Sequence, residues 1–124
     1  MVKEDYIMRL IKEMVRTVLK LLFNVDTDSP AKELLEDTEE KETLVKLLDL
    51  VKQGKINEAE NMLYSLPESS NKERVKMKIL FYSYLNEYDD DFLENNDFSR
   101  DEVKDGLRYV LEKEGLSSIS DIYM

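Results

Sequence analysis

The first helix-like stretch constrains the fold more than any other feature. Residues 4–23 read EDYIMRLIKEMVRTVLKLLF, and a turn of about 100° per residue places their apolar side chains on one arc of roughly 180°. The apolar positions are Ile7, Leu10, Ile11, Met14, Val15, Val18, Leu19, Leu21 and Leu22. An arc of about 100° is enough to face a core. The pattern predicts a long amphipathic helix with more apolar surface than one core contact needs.

Three interpretations explain the wide arc. The helix can be covered on both flanks by its own chain, or it can divide its face between its own core and a second subunit. A third, less favoured interpretation lays the basic face on an anionic membrane surface, which normally involves Trp as well. We predict a homodimer and take the nine apolar residues as the candidate interface. Leu10 and Leu21 lie at one edge, and Val15 and Leu19 lie towards the other.

A loop is predicted to follow this helix. Residues 24–30 read NVDTDSP, and such Asn, Asp, Ser and Pro content is typical of loops. Ser29 is the predicted N-cap of the next helix, with Pro30 at its first position. The acidic run at residues 36–42 weakens the helical periodicity. The sequence therefore leaves open whether residues 31–53 form one helix or two.

The stretch QGKINEAENML, residues 53–63, predicts a turn between two helices. Gly54 suits a left-handed C-cap, and the small Ala59 lets two helices approach closely. Asn57 suits the N-cap of the next helix, with Glu60 three residues later in the position that closes a capping box. Together with Leu63, this spacing is like that of a tetratricopeptide repeat. No second copy stands about 34 residues away, so we predict one helical hairpin and not a repeat array. Plain helix packing is favoured over a peptide-binding groove.

Ser70 and Glu73 have the spacing of a capping box at the start of a helix over about residues 71–88. This helix is apolar nearly all round, which is typical of a buried helix. Its aromatic side chains are Phe81, Tyr82, Tyr84 and Tyr88. We predict that they pack in the core, because a base-stacking platform would need a positively charged groove.

The strongest local signal is at Ser99, which is predicted to cap the next helix in a capping box with Glu102. Phe98 and Val103 stand where a hydrophobic staple would place its two apolar residues. Gly115 is the predicted C-cap. The nine residues after Gly115 have no firm pattern.

Composition agrees with a helical protein. Only three Gly and two Pro occur in 124 residues, which argues against the many turns of a β-sandwich or barrel. The hydrophobic content of 42% suits a globular protein. We predict an all-α fold, a five- or six-helix bundle with one tetratricopeptide-like hairpin, in a single domain spanning residues 1–124.

Four short motifs follow one another along the chain. They are DYIMRLI at residues 5–11, GKINEAENML at 54–63, FYSYLN at 81–86 and FSRDEVKDGL at 98–107. In this order they resemble a bacterial family of short helical proteins, the domain of unknown function 6483. The resemblance implies an all-helical cytoplasmic protein. It supplies no activity, catalytic residue or ligand.

The residue inventory disfavours most site chemistries. The chain has no His and no Cys, so the commonest general base, metal ligand and nucleophile are missing. Asp26 and Asp28 match two positions of a calcium loop, but Pro30 and Ala31 stand where an acceptor and the turn glycine belong. The acidic run at residues 89–97 could hold a hard cation weakly, but a solvated loop with a helix start is the favoured interpretation. We predict no cofactor and no metal.

The net charge of −10 disfavours nucleic acid as a partner. Residues 1–23 carry five Lys or Arg against three Asp or Glu, and the remaining residues carry 13 against 25. Basic residues interrupt the apolar residues near the N-terminus, so we predict no signal peptide and a cytoplasmic protein. The predicted function is a non-enzymatic interaction or scaffolding module that self-associates. The alternative is a small-molecule binder or carboxylate-based enzyme with an interhelical pocket.

Overall fold

The computed structural model describes residues 3–122. All regular secondary structure in that range is helical, with no strand. Seven α-helices follow in the order α1 (Lys3–Phe23), α2 (Thr38–Lys52), α3 (Ile56–Ser65), α4 (Lys72–Asn86), α5 (Asp90–Asn95), α6 (Arg100–Lys113) and α7 (Ser117–Ile122). A 3₁₀ turn at Lys32–Leu34 precedes α2. The predicted all-α bundle is confirmed, with seven α-helices in this range where five or six were predicted.

The helix α7 is the element that the sequence did not predict. The chain turns at Gly115, whose φ of +75° is left-handed, and the Leu116 amide donates to the Leu111 carbonyl at 2.8 Å. This Schellman-type turn directs the chain back along α6. Ile119 is buried, and α7 packs against α6 and α1. The last two residues of this segment lie outside the described range.

The helix α4 is the central element, as its apolar pattern predicts. It packs against α1, α2 and α6. Phe81 and Tyr82 are fully buried, whereas Tyr84 and Tyr88 are half-buried at the edge of the core. The prediction of core packing is therefore confirmed for the first two rings. The rings of Tyr84 and Tyr88 lie at the edge of the core. The Tyr84 hydroxyl accepts a hydrogen bond from the Lys32 amide at 2.9 Å.

The hairpin of α2 and α3 turns at Gly54, which has a φ of +82°. The Lys55 amide donates to the Leu50 carbonyl at 2.9 Å, so the end of α2 is also a Schellman-type turn. Ala59 is fully buried, as expected of a small residue at a close helix approach. The predicted turn at Gly54 is confirmed.

Residues 31–53 form a 3₁₀ turn followed by a separate helix. The cap of α2 is Asp37, whose carboxylate accepts from the amides of Glu39 at 2.9 Å and Glu40 at 3.2 Å. The predicted helix start at Ser29 is wrong, because no α-helix follows it. The Glu73 carboxylate on α4 accepts from the Asp37 amide at 2.8 Å and holds the start of α2 in place.

Two other cap predictions are wrong, by two residues for α3 and by one residue for α4. The helix α3 begins at Ile56, and Asn57 donates from its side chain to the Asp97 carbonyl at 3.1 Å instead. The cap of α4 is Asn71, which accepts from the Glu73 amide at 2.9 Å, and not Ser70. In each case an interaction outside the helix start competes with the local signal.

The cap at Ser99 is confirmed. Its hydroxyl accepts from the Glu102 amide at 3.2 Å. Phe98 and Val103 are both buried, as the two residues of a hydrophobic staple should be. This cap fixes the start of α6.

Candidate functional site

The candidate interface on α1 is for the most part the chain's own core. Six of the nine residues are buried in the single chain, namely Ile7, Ile11, Met14, Val15, Val18 and Leu19. The physical reason is that α4, α6 and α7 all pack against α1 and cover its wide arc. Leu10 and Leu22 are half-buried, and Leu21 is 66% exposed. The arc was predicted to be shared between the core and a second subunit, and the six buried residues belong to the core. The part of the candidate interface left for a partner is the exposed remainder.

The acidic positions singled out for a cation have other partners. Asp26 pairs with Arg16 at 3.2 Å, and Asp90 pairs with Arg100 at 2.8 Å. The Asp89 carboxylate caps α5 by accepting from the Phe92 amide at 2.8 Å. Among residues 3–122 no group of three or more acidic side chains is arranged to hold a metal ion.

An exposed aromatic pair marks a different surface, on α3 and α6. Tyr64 and Tyr109 make an edge-to-face contact with ring centroids 5.7 Å apart, and each side chain is 48% exposed. Beside them is an open cavity of about 300 Å³, lined by Glu60, Tyr64, Glu102, Asp105, Gly106 and Tyr109. We call these six residues the α3–α6 face.

The carboxylates of the α3–α6 face are not neutralised. Within the described part of the chain no Lys or Arg forms a salt bridge with Glu60, Glu102 or Asp105. Like charges that gather without counter-charges create a local negative potential. The face therefore combines two exposed aromatic rings with three carboxylates that form no salt bridge within residues 3–122. At its edge the Lys113 ammonium lies 5.9 Å from the centroid of the Tyr109 ring.

The buried Tyr82 forms hydrogen bonds with two residues of this face. The Tyr82 hydroxyl on α4 donates to Glu60 Oε2 at 2.7 Å, and the Tyr64 hydroxyl lies 3.1 Å from it. Because the Tyr82 hydroxyl donates its one proton to Glu60, it accepts in the second bond. The Tyr64 hydroxyl is therefore the donor in that bond. Burial raises the pKa of the Tyr82 phenol far above its ordinary value, so this hydroxyl stays a donor. The two bonds form a chain from Tyr64 to Glu60.

Glu60 has a perturbed pKa. Burial raises the pKa of its carboxyl above the usual value, the hydrogen bond from Tyr82 opposes this, and repulsion from Glu102 adds to it. Burial is also the main cause of the raised pKa of Tyr64. Perturbed titrating groups in a cleft often mark functional sites.

Gly106 makes room for the buried ring. A Cβ at this position would overlap the Cε1, Cζ and hydroxyl of Tyr82. Gly106 is on α6 and Tyr82 is on α4, so the absence of a side chain sets how closely these helices approach. This contact keeps the Tyr82 hydroxyl within reach of Glu60.

The α3–α6 face was not predicted from the sequence. Tyr82 was predicted as a core residue and Glu60 as the capping-box partner of Asn57, but the Glu60 carboxylate accepts from Tyr82 instead. A signal was present, because Glu60 and Tyr64 are four residues apart, and Glu102, Asp105 and Tyr109 follow at helical spacing. A large aromatic residue on the polar side of a helix is the pattern that indicates such a surface.

Comparison with known proteins adds a family and no activity. No curated protein and no solved structure matches the chain. Within residues 3–122 no helix is both long enough and apolar enough to cross a membrane. One family model matches residues 1–115 of the 124 residues. The chain therefore belongs to the Family of unknown function (DUF6483).

Proposed function

We propose that this protein is a non-enzymatic interaction module whose α3–α6 face binds a basic segment of a partner protein. The observation that carries the proposal is the exposed pair of Tyr64 and Tyr109 beside carboxylates without counter-charges. Tyrosine is enriched at protein interfaces because it buries a large ring and keeps a polar tip. A cytoplasmic location, and the likeness of the α2–α3 hairpin to a tetratricopeptide unit, belong to the same proposal.

Charge complementarity favours a basic partner. The chain carries a net charge of −10, and Glu60, Glu102 and Asp105 concentrate negative charge at the cavity. Such a field attracts cationic segments and speeds their encounter with the face. Lys and Arg side chains also interact favourably with tyrosine rings.

A binding measurement tests the proposal. A labelled peptide of alternating Arg and Leu should bind, and the same peptide with Glu in place of Arg should not. Tyr109→Ala should weaken binding about tenfold or more, as truncation of an interface tyrosine does. Fluorescence anisotropy gives both affinities, and circular dichroism checks that the variant is folded.

The matched control is Tyr6→Ala on α1, which removes another exposed tyrosine, 52% exposed, outside the α3–α6 face. It should bind the basic peptide as the unchanged protein does. Equal affinities for the Tyr109→Ala and Tyr6→Ala variants, or equal binding of the acidic peptide, would overturn the proposal.

The alternative is a small-molecule binder or carboxylate enzyme at the same cavity. The observation that favours it is the raised pKa of Glu60 in a half-buried position. A general acid or base is tuned in this direction. This alternative would replace the proposal if a small organic cation bound as tightly as the basic peptide.

Self-association through α1 stays a prediction, now limited to its exposed edge. Leu19 is fully buried and Leu21 is 66% exposed, so a lysine at each position should act differently. Leu19→Lys should unfold the chain, because it buries a charge. Leu21→Lys should keep the helical signal and, if this edge joins two copies, should yield monomers. Circular dichroism and light scattering measure both, and an unchanged protein that is monomeric at micromolar concentration would contradict the dimer.

A further inference from the structure

We propose that Glu60 is the residue of the α3–α6 face that recognises the cation, by accepting a hydrogen bond from one Arg or Lys side chain of the partner. This inference rests on the proposed function and names the group that the site selects. It makes Glu60 the determinant of specificity and Tyr82 a positioning residue. The following observations carry it.

A hydrogen bond within the protein orients the Glu60 carboxylate, which can still accept further hydrogen bonds. Its Oε2 accepts from the Tyr82 hydroxyl at 2.7 Å, and no hydrogen bond from residues 3–122 reaches its Oε1. Tyr82 itself is fully buried and is confined by the backbone of Gly106. The carboxylate is therefore held in place with acceptor capacity to spare, which is how a preorganised binding group is built.

The surroundings of Glu60 favour a cation. From α6, Glu102 and Asp105 line the same cavity, from α4 Tyr82 is a neutral donor, and the rings of Tyr64 and Tyr109 complete the lining. Among residues 3–122 no basic side chain lines this cavity, and the Lys113 ammonium lies 5.9 Å from the centroid of the Tyr109 ring. A cation here would relieve the repulsion between carboxylates and would lie against tyrosine rings that attract it.

Partial burial makes the interaction stronger than a surface ion pair. Glu60 is half-buried, so part of the water around its carboxylate has already been removed during folding. Charge-assisted hydrogen bonds in such surroundings contribute more than exposed pairs, which contribute little. Glu102 and Asp105 are exposed and contribute mainly to the long-range field.

A pH dependence follows from the same geometry. The free carboxyl of Glu60 has a pKa raised chiefly by burial, and a bound cation would lower that pKa. Binding is then strongest when Glu60 is ionised, above its raised pKa. Affinity falls as the pH drops through that pKa, and the protein takes up a proton when the cation leaves.

The test uses N-acetyl-arginine amide as the probe and N-acetyl-citrulline amide as its neutral analogue of the same shape. Proton NMR follows the ring resonances of Tyr64 and Tyr109. The arginine compound should shift both rings in a saturable way, and the citrulline compound should not. Glu60→Gln should weaken arginine binding about tenfold or more. Glutamine can still accept from Tyr82, so this variant should remain folded.

The matched control is Glu58→Gln, which changes the net charge by the same amount. Glu58 is an exposed glutamate on the same helix. Equal binding by the Glu60→Gln and Glu58→Gln variants would overturn the inference. A pH-independent affinity in the unchanged protein would do so as well, and that measurement needs no variant. Either result leaves the proposed function standing if Tyr109→Ala still weakens binding of the basic peptide.

Discussion

Arg100→Ala should lower the free energy of unfolding by about 1–3 kcal/mol, the range for leaving a buried acceptor without its donor. Arg100 is only 5% exposed at the start of α6. Its guanidinium donates to the carbonyls of Asn86 at 2.7 Å and Tyr88 at 2.8 Å, and to the Asp90 carboxylate at 2.8 Å. These bonds join the end of α4, the start of α5 and the start of α6. Truncation leaves all three acceptors without their donor.

Urea unfolding followed by circular dichroism measures this loss. The control is Arg108→Ala on the same helix, where the side chain is 40% exposed and its ion pair with Glu112 spans 3.6 Å. An exposed pair of this kind contributes about 0–1 kcal/mol. Similar unfolding midpoints for the two variants would show that Arg100 does not hold the three segments together.

Gly106→Ala should destabilise the protein by about 1–3 kcal/mol, the usual cost of overpacking. In an exposed helix the same change stabilises by about 1 kcal/mol, because alanine is the better helix former. Here the added Cβ would overlap the ring of Tyr82 and displace its hydroxyl from Glu60. The expected effect therefore has the opposite sign from the one that helix propensity alone predicts.

A double variant separates the clash from other causes. Tyr82→Leu removes the ring atoms that the new Cβ would meet, so the second substitution should cost less in that background. Thermal or urea unfolding of the two single variants and the double variant gives the coupling energy. Additive losses, or a Gly106→Ala protein as stable as the unchanged one, would contradict the close contact.

Helix ends were predictable where the signal is local and has no competitor. Gly54 and Gly115 adopt left-handed conformations that other residues rarely take, and Ser99 caps its own helix. Ser29 and Ser70 failed because Asp37 and Asn71 provide the actual caps. The choice between neighbouring candidates depends on tertiary partners, and the sequence around a cap does not contain them.

The apolar arc of α1 illustrates a second limit. Its periodicity correctly predicts which side of the helix is buried. Periodicity does not say what covers that side, so Val15 and Val18 could equally have faced another subunit. The candidate site has the same limit, because Glu60 and Tyr109 come from helices far apart in sequence. Their neighbours are set by the packing of α3, α4 and α6 around Tyr82.

The covering of α1 by later helices has a consequence for biosynthesis. The Asn86 side chain donates to the Met8 carbonyl across 78 positions of the chain, and α6, which also covers α1, is made later still. On the ribosome α1 emerges before α4 and α6. The broad apolar face of α1 therefore stays exposed until α4 and α6 have been translated. During that interval the nascent chain exposes the apolar residues of α1 that are buried in the folded protein.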